Sequence, residues 1–532
     1  MRTIFLLLLI RVSSVFAQAP VIEWQRCYGG SSADDAHSVQ QTLDGGYILL
    51  GTTTSTNGNV TGYHPGTCSF GDCNDFWVVK VDSFGNLQWQ KCLGGTGDEL
   101  GNSIIQFSAN SFTLTGWSES VDNDVIGNHG LSDAWVLSLD GTGSTLGSRC
   151  IGGTNRETFT YNNKTIDNGN VFIGSTGSLD GDVVGFHGGI GGDIWLLKTD
   201  SAFNLQGQRC IGGSDQEHCR YIQQTFDSGY FIVGYSNSTD GDITAFSHGG
   251  EDYWICKLDS AFNIVWQKSY GGSLDDIARS AKETRDGGFI VLGSSMSTDG
   301  DVIGTHGNQD YWVIKTDSAG NLQWQRCLGG SQWDDAYSID TTLDGGFVIA
   351  GGSVSNDGDV TGNHSPGLPD YWVVQLDSFG NIMWQKSIGG SDIEQAQAIA
   401  TTRDGGCILL GYTFSNDGDA LGNGNHGGGD FWAVKLSNPN VGLSSSLNTE
   451  SDFCCHINQA SKNLEISFYS TFNERTQLQL FDITGRLLFS KSFMVTHGFN
   501  KQEEKILDMS GGVYVVCLLT ESGTFVKKKI VQ

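Results

Sequence analysis

Asp310-Tyr311-Trp312-Val313-Ile314-Lys315-Thr316-Asp317-Ser318-Ala319-Gly320-Asn321-Leu322-Gln323-Trp324-Gln325-Arg326-Cys327 holds two short strands and the turn between them. Tyr311 to Thr316 and Leu322 to Cys327 are aromatic-rich and β-branched, and Asp317 to Asn321 is made of turn-forming residues. Upstream, Ile277 to Glu283 and Phe289 to Gly293 flank a tight hairpin at Asp286-Gly287-Gly288. A long polar loop from Ser295 to Asp310 joins the two hairpins. The unit is therefore four short strands in sequence.

This unit recurs. A Gly-Gly pair stands at 29–30, 94–95, 152–153, 212–213, 271–272, 329–330 and 389–390, at spacings of 65, 58, 60, 59, 58 and 60 residues. An aromatic or apolar residue followed by Trp marks the same seven units at Trp77, Trp135, Trp195, Trp254, Trp312, Trp372 and Trp432. Four strands per unit, repeated radially, describe propeller blades. The seventh unit stops after Trp432 to Leu436 without a fourth strand, and Val21 to Cys27 supplies a segment of the missing type. Complementary leftovers indicate a closed ring, since an open solenoid needs capping repeats instead. The expected fold is all-β: a seven-bladed propeller over 18–436, closed by an N-terminal strand.

Composition agrees. Of 532 residues, 75 are glycine and only 5 are proline, which excludes collagen, and 14 tryptophans exclude a disordered chain. A coiled coil is excluded too, because glycine on this scale breaks helices. Against 30 Lys and Arg stand 59 Asp and Glu, a formal net charge of −29, so nucleic acid is rejected as a partner. Residues 1–17 read as a signal peptide: Arg2, the apolar run Ile4 to Ile10, then Val15-Phe16-Ala17. No later run is long enough to span a membrane, and a monomer is expected. Among 13 cysteines, Cys68 and Cys73 share one loop and are the expected disulfide, while Cys27, Cys92, Cys150, Cys210 and Cys327 recur as buried free thiols.

The run Gly-Gly-Ser-x-x-Asp, Asp-Gly-Gly-Phe and Asp-Tyr-Trp-Val-x-Lys-x-Asp-Ser-x-Gly-Asn-x-x-Trp resembles the bacterial seven-bladed β-propeller repeat family over Val21 to Leu436. Repeats two and three depart most: Leu146-Gly147-Ser148 replaces Trp-Gln, and Ser111-Phe112 follows no Asp-Gly-Gly. That family is defined by its fold and implies no single activity.

After a Ser/Asn-rich linker over 437–453, the segment 454–532 is balanced, with nine basic and seven acidic residues. Strand-like runs at Leu464 to Phe468, Gln477 to Asp482, Leu487 to Phe493, Val513 to Leu519 and Thr524 to Val531 suggest a small Ig-like β-sandwich. The motifs Leu478 to Arg486, Gly511 to Val516 and Lys527 to Val531 are similar to the C-terminal sorting domain of type IX secretion (the Por secretion system) in Bacteroidota. The resemblance implies a partner in that secretion machinery and a secreted or outer-membrane-surface location. Passage to that surface would be through the periplasm.

Candidate binding residues fall in three groups. An acid follows each Gly-Gly by four residues: Asp34, Glu99, Glu157, Glu217, Asp276, Asp334 and Glu394. They either ring the channel mouth or cap their own Gly-Gly turns. The long loops carry Asp299, Asp301 and Asp310, with Asp357, Asp359 and Asp370 equivalent; these offer oxygen ligands for Ca²⁺ or structural hydrogen bonds. Each loop also holds one His, at 64, 129, 187, 248, 306, 364 and 426, read as a loop clasp bonded to backbone. Residues that break the pattern are the third group: Trp333 beside Asp334 and Asp335, and Phe186 and Phe246 in long loops. Exposed aromatics beside acids stack on sugars or anchor partners, or else fill gaps between blades.

No nucleophile elbow, zinc helix or phosphate loop is present in the sequence. The expected function is non-enzymatic recognition of a glycan or surface protein on the long-loop face, needing no cofactor, with Ca²⁺ a candidate ion. Two alternatives stand beside it: a polysaccharide hydrolase or lyase using rim carboxylates, and a purely structural surface component.

Overall fold

The computed structural model describes residues 19–438, except 69–70, 189–191, 237, 239, 246–247 and 423, together with the strands lying between 453 and 531. Within the first unit the chain forms seven four-stranded antiparallel sheets, one per repeat. The blade read above runs Asp276–Glu283, Phe289–Ser295, Asp310–Thr316 and Leu322–Leu328. First strands neighbour one another around the ring, from Asp34–Gln41 to Glu394–Thr401 and back, so they line the axis. The ring closes as expected: Ile22–Tyr28 pairs antiparallel with Asp430–Leu436, Cys27 opposite Trp432.

The Trp marker is the belt between blades. All seven third-strand tryptophans are at most 2% exposed. Burying an indole requires a partner for its N–H, and the fourth strand supplies one. Trp77 donates to Gln90 (2.7 Å), Trp312 to Gln325 (2.9 Å), and Trp432 to Gln25 of the closing strand (3.0 Å). This explains the recurring Trp-Gln pair. Where repeat two lacks that Gln, Ser148 accepts from Trp135 at 2.8 Å. In five blades the residue before the Trp is aromatic and packs on the Trp of the next blade, as Tyr253 does on Trp312 (centroids 4.5 Å apart) and Phe431 on Trp77 (4.7 Å).

Each first strand is bulged at the equivalent place, and that of blade two is bulged a second time between Gln106 and Ser108. Register slips between Ala36 and Ser38, Gly101 and Ser103, Phe159 and Tyr161, Cys219 and Tyr221, Ala278 and Ser280, Ala336 and Ser338, and Ala396 and Ala398. The second strand carries glycine opposite every bulge, for example Gly293 opposite Ala278. A β-carbon on Gly293 would overlap the Ile277 carbonyl and lie 2.7 Å from the Tyr253 hydroxyl. Only glycine admits that approach.

The second unit, 441–532, holds two antiparallel sheets. One orders Phe453–Asn458, Asn463–Ser470 and Gly498–Lys505; the other orders Leu487–Val495, Glu474–Asp482, Gly512–Leu519 and Thr524–Val531. The five strands read from the sequence are present, and two more join them. The expected signal peptide and most of the 437–453 linker lie outside the described residues.

Candidate functional site: the central channel

The seven acids after the Gly-Gly pairs are fully buried at the blade junctions rather than displayed on a rim. Asp34 accepts from the Gly30 N–H at 2.7 Å, and Glu99 from Gly95 at 2.8 Å; Glu157, Asp276, Asp334 and Glu394 do the same from Gly153, Gly272, Gly330 and Gly390. Glu217 is buried at the equivalent place and accepts from the Ser236 hydroxyl at 3.3 Å. The other six are turn caps. Burial pushes the Asp34 carboxyl up to about 6 and Glu99 up to about 7, against the hydroxyl and amide donors that favour the charge.

The long-loop acids are likewise engaged in local bonds. Asp299 accepts from Ser273 N–H (2.7 Å) and Asp301 from Gly271 N–H (3.4 Å), while Asp357 and Asp359 serve Ser331 and Gly329. Asp310 and Asp370 take the backbone N–H of His306 and His364, and His364 Nδ1 lies 2.6 Å from the same Asp370 oxygen. The clasp residue is thus bonded to a carboxylate, where the sequence suggested backbone. Among the described residues, no three His, Cys, Asp or Glu side chains converge as a metal-ligand set.

Of the pattern-breakers, Trp333 is 48% exposed, bridging to Gln309 of the preceding blade. Phe186 packs against a core cluster containing Val183 and Trp195. Phe246 lies outside the described residues. Cys68 and Cys73 are joined in a disulfide, and Cys27, Cys92, Cys150, Cys210 and Cys327 are buried free thiols.

Asp335 leads to the site that sequence reasoning missed. It does not face the junction with Asp334. It turns inward, 3.1 Å from the Arg279 guanidinium, and accepts from Ser294 (2.6 Å) and Gln309 (2.7 Å). Arg279 lines a cavity of about 450 Å³ on the propeller axis, walled by the first strands of all seven blades. The bulges aim one side chain per blade into it: His37, Asn102, Thr160, Arg220, Arg279, Tyr337 and Gln397. Each stands three residues after the buried acid of its blade. That offset, together with the strand-two glycine that signals a bulge, was the clue available in the sequence.

The channel is asymmetric in charge. Arg220, Arg279, Lys282 and Arg403 line it against one carboxylate, Asp340. Arg279 stacks 4.1 Å over the Tyr337 ring. Lys282 stands 3.7 Å from Asp340 and 5.5 Å from the Tyr221 ring. Burial opposes the Lys282 charge, but the Tyr221 oxygen and Asp340 outweigh it and hold the ammonium above its ordinary range. Across the channel, burial lowers His37, whose Nδ1 lies 2.8 Å from the Gly101 carbonyl.

Comparison with known proteins bears on the other end of the chain. Residues 458–532 match the family described as the secretion system C-terminal sorting domain. The chain is a type IX secretion cargo. That route delivers it to the cell surface or outside, implies a Bacteroidota source, and makes the secretion machinery a partner of the sorting domain. No helix among the described residues is long and apolar enough to cross a membrane. The regulatory protein FlaEY of Caulobacter vibrioides is 24% identical over 195 residues, which are 35% of this chain and 20% of that protein, so the chain spans only a fifth of this relative. Sqt1 from Chaetomium thermophilum is similar at 10% identity and a TM-score of 0.40, covering 80% of this chain and 99% of that one. A fungal alcohol oxidase of the AA5 family, in complex with copper, is similar at 10% identity and a TM-score of 0.43, covering 96% of this chain and 100% of that one.

Proposed function

We propose that this secreted propeller is a binding protein that captures a glycan or surface protein without reacting with it. The observation that carries the reading is the variation at the bulge. At seven structurally equivalent positions the chain places six residue types, while the Trp belt and the junction acids repeat around the ring. Packing residues that repeat around the ring, with varied side chains at the equivalent cavity-lining positions, are what ligand-specific recognition requires. Asp340 is the one carboxylate among the cavity-lining residues, and it accepts from the Thr401 N–H and hydroxyl, each at 2.8 Å. Hydrolysis of a glycosidic bond uses two free carboxyl groups at set separation, so the geometry favours holding over cutting. The function is tested by incubating the full chain with a polysaccharide panel. Binding without new reducing ends is expected, and release of reducing sugar would overturn the reading.

A further inference from the structure

Resting on that reading, the channel chemistry narrows the ligand. We infer that the central channel binds an acidic saccharide, with its carboxylate on the Arg220–Arg279–Lys282 wall and its hydroxyls on the wall formed by His37 and Asn102.

The cationic wall belongs to blades four and five. In a chain of net charge −29, its concentration at the axis is a local reversal of sign. Arg279 is fixed between the Asp335 carboxylate and the Tyr337 ring, so its guanidinium fork is pre-organised. Arg220 makes no ion pair among the described residues. Its described bond goes to the neutral Tyr235 hydroxyl at 3.3 Å, and it is exposed. A guanidinium aimed into a cavity without a carboxylate partner suits a bidentate anion.

The opposite wall separates a sugar acid from a bare anion. His37 donates from Nδ1 to the Gly101 carbonyl, and burial favours its neutral form, so Nε2 is left as an acceptor. Asn102 donates through Nδ2 to the Phe159 carbonyl at 2.8 Å, which leaves its side-chain oxygen as an acceptor. Acceptors facing the channel call for ligand donors. Phosphate and sulfate offer oxygens there, whereas a uronic acid offers hydroxyls on one edge and a carboxylate on the other.

The test is titration calorimetry of the full chain with a galacturonate oligosaccharide, its carboxyl-reduced neutral counterpart, inorganic phosphate and an oligoglutamate peptide. Expected is binding of the uronate alone, weakened at least about tenfold by Arg220→Ala, the loss of one charge-assisted contact. Gln397→Glu, a near-isosteric change that adds a repelling carboxylate to the same cavity, is expected to weaken it comparably and guards against a folding artefact of the first variant. Leu179→Ala, at an exposed position of a long loop, is expected to leave affinity within about twofold. Equal binding of the neutral sugar, binding of phosphate or peptide in the uronate's place, or uronate affinity unmoved by both channel variants would each overturn the inference while leaving a binding protein. Reducing ends appearing during the titration would instead overturn the binding-only reading on which it rests.

Discussion

Asp75 and Glu99 approach one glycine from the two sides of a blade junction. A β-carbon on Gly94 would overlap Glu99 Oε2 and lie 2.6 Å from Asp75 Oδ1. The same pairing holds at every junction, as with Asp310 and Asp334 at Gly329. In all seven the closing Asp keeps one buried oxygen without a hydrogen-bond partner among the described residues. The first Gly of each Gly-Gly is therefore the only residue that fits between two buried carboxyls.

Gly94→Ala should accordingly be costly. Forcing a methyl between these oxygens is overpacking, worth roughly 1–3 kcal/mol. Gly147, whose added β-carbon would meet nothing closer than 3.5 Å, serves as the control. Chemical denaturation should show a clear loss for Gly94→Ala and a change within about 0.5 kcal/mol for Gly147→Ala.

The junction carboxyls also set a pH dependence. Burial raises Asp75 to about 6 from 3.8 and Glu99 to about 7 from 4.5. A raised folded pKa means the folded chain holds more protons than the unfolded one between those values, so stability falls as pH climbs from about 4 to about 7. Thermal melts should give a higher Tm near pH 5 than near pH 8. Asp75→Asn removes one of two like charges, and its gain at pH 8, on the order of 1–3 kcal/mol, should shrink at pH 5. A Tm that rises with pH across this window would contradict the account.

Loss of the closing strand should open the ring. Ile22–Tyr28 provides the Gln25 partner of Trp432, and Glu23 shares the buried Lys435 ammonium (3.2 Å) with Asp404 (3.0 Å). Deleting residues 19–28 bares the Asp430–Leu436 edge and should remove more than about 5 kcal/mol, the scale of a whole domain's stability. Calorimetry and size-exclusion chromatography should show a non-cooperative, self-associating chain.

Removing 441–532 should separate export from folding. The two units are compact on their own, so a chain ending at Asn440 should melt at the temperature of the propeller in the full protein. In a bacterium with type IX secretion, it should accumulate in the periplasm, whereas the full chain reaches the surface or medium. Fractionation and immunoblotting read the difference.

The ring was legible because Trp312 and its counterparts repeat at blade spacing and because Val21 to Cys27 resembles the strand that the seventh unit lacks. The channel was hidden by the bulges. Period-two alternation assigns facing only while register holds, and the extra residue at Arg279 turns a polar side chain inward just where the pattern slips. The second strand was ended at Gly293, although it continues to Ser295, because a strand glycine resembles a stop. The acid at the start of each first strand can be read as a rim group or as a cap of its own turn; only the approach of the preceding blade's closing Asp, 24 residues upstream as with Asp75 and Glu99, decides. Gly498–Lys505 was missed because its sequence, GFNKQEEK, is polar almost throughout.

The closing strand also imposes an order of events. Ile22 meets Leu436, so the first piece of the propeller to be translated is the last to find its partner. Every intervening blade must emerge while that strand remains open to any passing edge. Loop-closure entropy grows slowly with length, but the waiting time does not shorten. A chain that must travel before it works therefore carries its latch at the leading end, and sealing is confined to the moment when the whole barrel is present. Premature, partial rings have nothing to lock.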